Sequence, residues 1–180
     1  MKKQIIILGL LIITLLTLSS CGVIVKAKAR NYATIEKGAI PANFGENNSI
    51  VLFMTTGKKS YDKYLKSNIR KVYNGDYELV HKFDLNLEKY TDKSKYRFIF
   101  DFEKESYSYH SNNQTIYGQS ALTGANNATG QVRRFAITDR TDDKKYVMKM
   151  TSGFWSKLQR MYLKNMEEVR AKNNGITLSK

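Results

Sequence analysis

The chain of 180 residues is long enough for one globular domain and too short for several. Hydrophobic residues make up 42% of it and aromatic residues 12%, which argues against a disordered chain. Its single cysteine excludes a disulfide within the chain, and its formal net charge of +14 concerns partners and solubility more than fold.

The N-terminus has the pattern of a secretory signal. Lys2 and Lys3 precede an apolar run from Ile5 to Leu18 that contains no ionisable side chain. A charged start followed by an apolar stretch is the order found in secretory signals. The run is also too short to cross a bilayer, which needs about 20 apolar residues. The sequence therefore predicts that residues 1–20 are a signal peptide that is cleaved.

The apolar run ends in Leu18-Ser19-Ser20-Cys21, followed by Gly22. This junction resembles the lipobox of bacterial lipoproteins, which implies that Cys21 receives diacylglycerol and becomes the acylated N-terminus of the mature protein. Two or more acyl chains hold a protein stably on a membrane. In this family an Asp after the cysteine retains the protein in the inner membrane, so Gly22 favours the outer membrane if the organism is Gram-negative. The alternative is an unmodified cysteine after a conventional signal, or a short buried helix with an ordinary thiol.

The mature chain would stay basic. Without Lys2 and Lys3, the 30 basic residues fall to 28 against 16 acidic residues, so the net charge is near +12. Such a charge is typical of a protein that binds nucleic acid or an anionic envelope surface, and it can also serve solubility alone. A lipid-anchored exported protein rarely meets nucleic acid. We therefore expect the membrane as one partner and an envelope protein or a polyanionic envelope surface as another, with no nucleic acid.

Residues 21–49 are predicted to be the lipid anchor and a tether. Lys26, Lys28 and Arg30 alternate with small residues, and each can add about 1 kcal/mol of attraction to an anionic leaflet. A flexible charged linker without that role is the alternative. Pro41 then marks a loop before an α/β domain predicted over residues 50–175, and residues 176–180 form a tail.

The domain begins with a strand, a helix and a second strand. The apolar run 50–54 indicates a strand buried on both faces. A helix capped by Ser60 follows, with an apolar stripe at spacings of three and four that includes Tyr61, Tyr64 and Leu65, and Asn74-Gly75 ends it. With the strand predicted at 77–83, this makes a right-handed parallel β-α-β unit.

The opposite face of this helix carries a row of positive charges, at Lys59, Lys63, Lys66 and Arg70. A row of like charges lowers the stability of a helix. We therefore take these residues as a candidate binding face, and an ordinary solvated face is the alternative.

A polar segment separates the next two pairs of strands. The segment 96–102 alternates strictly and predicts a strand, joined to strand 77–83 in an antiparallel hairpin. From 106 to 131 there is no charged residue, and Tyr107, Tyr109 and Tyr117 lie among Ser, Asn and Gly. This composition is typical of recognition loops, so the three tyrosines are candidate binding residues. Disorder or part of an extra strand is the alternative.

The predicted fold is α+β or α/β, with a single small mixed sheet and two helices on one face. Strands at 132–138 and 145–150 and a helix capped by Ser152 complete the order β-α-β-β-(long polar loop)-β-β-α. This order, together with the hairpin Ile137-Thr138-Asp139-Arg140, loosely resembles small domains of envelope-assembly lipoproteins: curli secretion components, activators of penicillin-binding proteins, and the N-terminal domain of the Tol translocation protein.

No catalytic motif is present, so we expect no enzyme, no metal and no cofactor. His81 and His110 lack the spacing of metal ligands, and the aspartates of the turn after residue 138 are typical of a charged turn rather than a calcium loop. The leading hypothesis is a non-catalytic binding or assembly module. A purely structural lipoprotein is one alternative. A hydrolase acting on wall or lipid material is another, favoured if a pocket joins either histidine to carboxylates such as Asp101 and Glu103.

Overall fold

The computed structural model describes residues 23–110 and 127–178, without the side chains of 104–110 and 127–132. The helices and strands in chain order are α1 at residues 23–32, β1 Val51–Thr55, α2 Lys59–Val72, β2 Tyr77–His81, β3 Phe98–His110, β4 Asn127–Asp139, β5 Lys144–Val147 and α3 Trp155–Asn173. The strands form one mixed sheet in the order β2-β1-β3-β4-β5. Strand β1 is parallel to both of its neighbours, and the pairs β3-β4 and β4-β5 are antiparallel. The predicted single mixed sheet is confirmed.

The central strand β1 is the apolar run that the sequence indicated. Val51, Leu52 and Phe53 are completely buried, because β1 is covered on both faces. Val51 and Phe53 pack on the face that carries α1, α2 and α3, which we call the helix side. Leu52 and Met54 pack on the opposite face, which we call the open side. The two faces therefore have separate cores.

The helix-side core is built from aromatic rings. The ring centroids of Phe53 and Phe100 are 5.4 Å apart, and those of Phe100 and Tyr162 are 5.5 Å apart. Such ring pairs contribute about 0.5–1.5 kcal/mol beyond the area they bury. Helix α2 adds Tyr61 and Leu65 from its predicted stripe, but Tyr64 is 48% exposed, so its predicted inward position is wrong.

Helices α2 and α3 do not begin at the residues predicted from their caps. Helix α2 begins at Lys59, one residue before the predicted cap Ser60, and its N-cap Lys58 makes no side-chain cap. Instead, Asp62 in the first turn accepts the Thr56 backbone N–H at 2.9 Å. Helix α3 begins at Trp155, and the hydroxyl of Ser152 accepts the N–H of Phe154.

The predicted antiparallel hairpin between the second and third strands is wrong. Strand β3 lies on the other side of β1 from β2 and runs parallel to β1. The connection 82–97 crosses the open side, where Tyr90 and Tyr96 pack in the second core. Arg140 fixes this connection by donating to the backbone oxygens of both tyrosines, at 2.6 and 2.9 Å. Burial of these rings favours the crossover over a tight turn.

The segment predicted as a tether belongs to the domain. Helix α1 occupies its first described residues, and Ala29, Ala33 and Phe44 are completely buried in the helix-side core. The Asn165 side-chain amide donates to the backbone oxygens of Arg30 and Ala33. The small alanines let α1 approach α3 closely, so the tether prediction is wrong from Ala29 onward.

The ends of the predicted polar loop are strand. Strands β3 and β4 pair continuously from Phe98↔Asp139 to His110↔Asn127, so 106–110 and 127–131 form a ribbon. Tyr107 is level with Gly130, and Tyr109 is level with Ala128. Tyr117 lies outside the described residues. The prediction of a loop is therefore wrong for residues 106–110 and 127–131, which are strand.

Candidate binding surfaces

The basic face of α2 is exposed to solvent, as its spacing predicts. Lys59, Lys63, Lys66 and Arg70 all lie on the side of α2 away from the sheet. A shallow hollow of about 360 Å³ is lined by Lys63, Lys66, Ser67, Arg70 and Lys71, which include no carboxylate. None of these cations forms an ion pair with a carboxylate of the described residues. This surface therefore presents uncompensated positive charge.

The position of charges along α2 explains how the helix tolerates this row. Asp62 lies in the first turn, and Arg70 and Lys71 lie in the last. Both positions complement the helix dipole, each by about 0.3–1 kcal/mol. This offsets the repulsion between cations one turn apart, which is about 0.2–0.5 kcal/mol per pair. The buried stripe then holds the helix in place with its cations outward.

A second candidate site lies at the carboxyl ends of the parallel strands β1 and β2, beside residues 101–103 of β3. The chain leaves β1 toward the helix side and leaves β2 toward the open side. Diverging connections leave a crevice at such a point, and ligands of open α/β sheets bind in such crevices. The crevice here has a volume of about 730 Å³. Its lining residues are Met54, Thr55, Thr56, His81, Lys82, Phe83, Asp101, Phe102, Glu103, Arg134 and Lys145.

The crevice carries charges of both signs. Asp101 is half-buried, and its burial raises the pKa of the carboxyl group, although a hydrogen bond of 2.7 Å from the Phe102 N–H opposes this. Glu103 forms an ion pair with Lys145. Arg134 donates to the backbone oxygen of Lys149 at 3.4 Å. Burial thus favours the protonated form of Asp101 more than it would for an exposed aspartate.

His81 lines the same crevice but does not contact Asp101. β1 lies between the two strands that carry them, and strands two apart are separated by about 9.5 Å. Asp101 also faces the open side, because Phe100 and Phe102 alternate with it toward the helix-side core. Nδ1 of His81 instead accepts the N–H of Phe83, at 3.5 Å. The structure therefore brings a histidine and carboxylates to one pocket without joining them as a dyad. The side chain of His110 lies outside the described residues.

The aspartates of the last hairpin form a structural turn. Asp139 is buried and accepts hydrogen bonds from Arg97 and Thr141, and Asp142 accepts the N–H of Lys144. Within the described ranges, no three histidine, cysteine or acidic side chains gather as a metal site requires.

Sequence reasoning placed the α2 cations on one exposed face, but of the crevice residues it named only His81, Asp101 and Glu103 as candidates. The crevice residues come from five separate segments, so no local spacing marks them. The available signal was the polar run that follows β1, because residues after a parallel strand reach this edge of the sheet.

The predicted lipidation site, the search for membrane-spanning helices and the comparisons with known proteins add no further site within the described residues. Cys21 lies outside the described residues. None of the helices within 23–110 and 127–178 is long and apolar enough to cross a bilayer. Comparison of the chain with known protein families and with curated proteins finds no match.

Proposed function

We propose that this protein is a lipid-anchored lipoprotein of the bacterial envelope that binds a phosphate-rich polyanion of the envelope through the basic face of α2, without catalysing a reaction. The observation that carries the proposal is the row of exposed cations on α2, none of which forms an ion pair with a described carboxylate. An unpaired cationic surface attracts anions over roughly 8–10 Å at physiological ionic strength. The resemblance of residues 18–21 to a lipobox supports the anchor.

The anchor would hold the domain close to the membrane. Cys21 lies two residues before Val23, where the described part of α1 begins, and two extended residues span about 7 Å. Because α1 packs in the core, the proposed anchor is joined to the folded domain almost directly. The α2 face would then meet polymers and headgroups at the membrane surface. In a Gram-negative organism, we propose the outer membrane as the location.

The anchor is tested by Cys21→Ala in the full-length chain. Without the thiol no diacylglycerol can be attached, so the protein is expected in the soluble fraction after cell lysis. The measurement is fractionation followed by immunoblotting, and a Cys21→Ala protein that stays in the membrane fraction would contradict the anchor.

The binding face is tested by reversing its charges. We expect the full-length variant Lys63→Glu/Lys66→Glu/Arg70→Glu to bind immobilised polyphosphate about tenfold or more weakly than the wild type, because one cation near an anionic surface contributes about 1 kcal/mol. The matched control reverses Lys37, Lys95 and Lys144, which are exposed cations outside α2. Circular dichroism checks that both variants fold. Equal loss in both variants, or no loss in either, would remove the α2 face as the binding site.

The shared crevice of His81 and Asp101 supports a second candidate, an envelope hydrolase. Asp101, with its raised pKa, would donate a proton to a leaving group. The wild-type protein would then release products from peptidoglycan or phospholipid, and Asp101→Asn would abolish this release. A wild-type protein that releases no product from either substrate would exclude this candidate.

A further inference from the structure

A second exposed cationic surface lies at the start of α3, on the helix side. It surrounds a hollow of about 360 Å³ to which all three helices contribute. The lining residues are Lys26, Tyr64, Gly153, Phe154, Trp155, Ser156, Lys157 and Arg160, which include no carboxylate. We call this surface the anchor-side face. Two of its aromatic rings are open to solvent, since Tyr64 is 48% and Phe154 49% exposed.

The anchor-side face continues into the first turn of α1. Val23 is 63% exposed and Ile24 is 51% exposed. Val23 precedes Lys26 by three residues, so the two lie on the same face of α1 one turn apart. Val23 and Ile24 therefore lie at the end of α1 that is nearest to Cys21 in the sequence, one turn or less before Lys26 of the hollow.

The composition of this face fits a membrane surface. Nζ of Lys157 lies 5.2 Å from the centroid of the Phe154 ring, so an exposed aromatic residue and a cation share one site. Arg160 directs Nε to the side-chain oxygen of Asn68, and Lys26 and Lys157 form no ion pair within the described part of the chain. Tyr and Trp are enriched at the headgroup level of bilayers, exposed Phe side chains enter the apolar layer beneath it, and cations there attract anionic lipids.

We infer that the anchor-side face docks on anionic lipid headgroups and so fixes the orientation of the domain on the membrane. This inference rests on the proposed lipid anchor, which would bring the start of α1 to the bilayer. Val23, Ile24 and Phe154 insert between headgroups, and Lys26 and Lys157 contact lipid phosphates. The crevice, whose Asp101 faces the open side of the sheet, then stays accessible from the aqueous phase. A wall polymer would supply phosphate charge but no apolar layer for these exposed side chains.

The only tryptophan of the chain reports this docking directly. Trp155 lines the hollow, and its ring lies 5.5 Å from that of Tyr64. The full-length lipidated protein is reconstituted into phosphatidylcholine vesicles with or without phosphatidylglycerol, each containing lipid with a nitroxide near the headgroup. We expect strong quenching of Trp155 fluorescence in the anionic vesicles and weak quenching in the neutral ones. Lys26→Glu/Lys157→Glu/Arg160→Glu should lose most of this quenching, and Phe154→Ser part of it.

The matched control is again reversal of Lys37, Lys95 and Lys144, which should leave the quenching unchanged. Flotation of the same vesicles reports the anchor separately. Protein that floats with unquenched Trp155 would overturn the docking and leave the anchor standing. If the protein does not float, quenching on addition of anionic vesicles still supports the docking, and its absence overturns it. If the variant Lys26→Glu/Lys157→Glu/Arg160→Glu lost polyphosphate binding but kept its Trp155 quenching, the anchor-side face would be a polymer site, which would contradict the inference.

Discussion

Charges are arranged differently in the interior and on the helix side. In the interior, Arg97 pairs with Asp139 and Arg170 with Glu167, and each carboxylate accepts further hydrogen bonds. On α2 and on the anchor-side face, the cations that line the two hollows form no ion pairs with the described carboxylates. The fold therefore uses a few paired charges for structure. The cations that line the two hollows have no carboxylate partner among the described residues, which is why we propose that they bind an external anion.

The pair of Arg97 and Asp139 joins the start of β3 to the end of β4. Nη2 of Arg97 lies 2.8 Å from Oδ2 of Asp139, and the Thr141 hydroxyl donates to Oδ1 at 2.7 Å. Burial alone would raise the pKa of Asp139, but the hydrogen bonds from Arg97 and Thr141 hold it below its usual range. Asp139 is therefore ionised and fully partnered.

The largest expected effect comes from breaking this pair. Asp139→Ala leaves the Arg97 guanidinium without its partner in a largely buried position, which costs about 3–5 kcal/mol of unfolding free energy. The control is Glu103→Ala, which breaks the exposed pair with Lys145 and should cost less than about 1 kcal/mol. Urea unfolding measures both. Similar losses in the two variants would contradict the distinction between structural and surface charges.

A smaller and pH-dependent effect is expected at Glu167. Burial would raise the pKa of Glu167, but Arg170 and the backbone and side chain of Asn74 donate to its carboxylate and hold the pKa below its usual range. Because the folded pKa is below the unfolded value of about 4.3, the contribution of Glu167 is present above that pH and is lost as pH falls through the folded pKa.

Glu167→Gln is therefore expected to lower the unfolding free energy by about 1–3 kcal/mol near neutral pH, since a hydrogen bond to a charged group is lost. The difference from the wild type should shrink as the pH falls below about 4. Urea unfolding at a series of pH values measures it. A difference that stays constant with pH would show that packing rather than charge sets the role of Glu167.

The sequence was sufficient for the parts of the fold that depend on local periodicity. The apolar run at β1 indicated the central strand, and the spacing of Lys63, Lys66 and Arg70 placed them on the exposed side of α2. Both features can be recognised from the order of residues within one helix or strand. They were predicted because neither depends on a distant partner.

The parts that were missed depend on distant contacts. Helix α1 is held by Ala29 and Ala33 against α3, and alanines among lysines give no apolar stripe to detect. The position of β3 depends on Tyr90 and Tyr96 reaching the open side, with Arg140 binding their backbone oxygens. The Ser-Tyr alternation of 106–109 has the period of a strand, but its pairing partner 127–131 lies in a separate segment of the chain, beyond the polar stretch that was read as a loop.

The salt dependence of polyphosphate binding tests the central claim most directly. If the unpaired cations of α2 carry the binding, the affinity of the wild type should fall steeply as salt concentration rises, because released counterions drive the association. The variant Lys63→Glu/Lys66→Glu/Arg70→Glu should bind weakly with a shallow salt dependence, and the variant reversing Lys37, Lys95 and Lys144 should match the wild type more closely. Equal affinities and equal salt slopes in all three proteins would contradict the account.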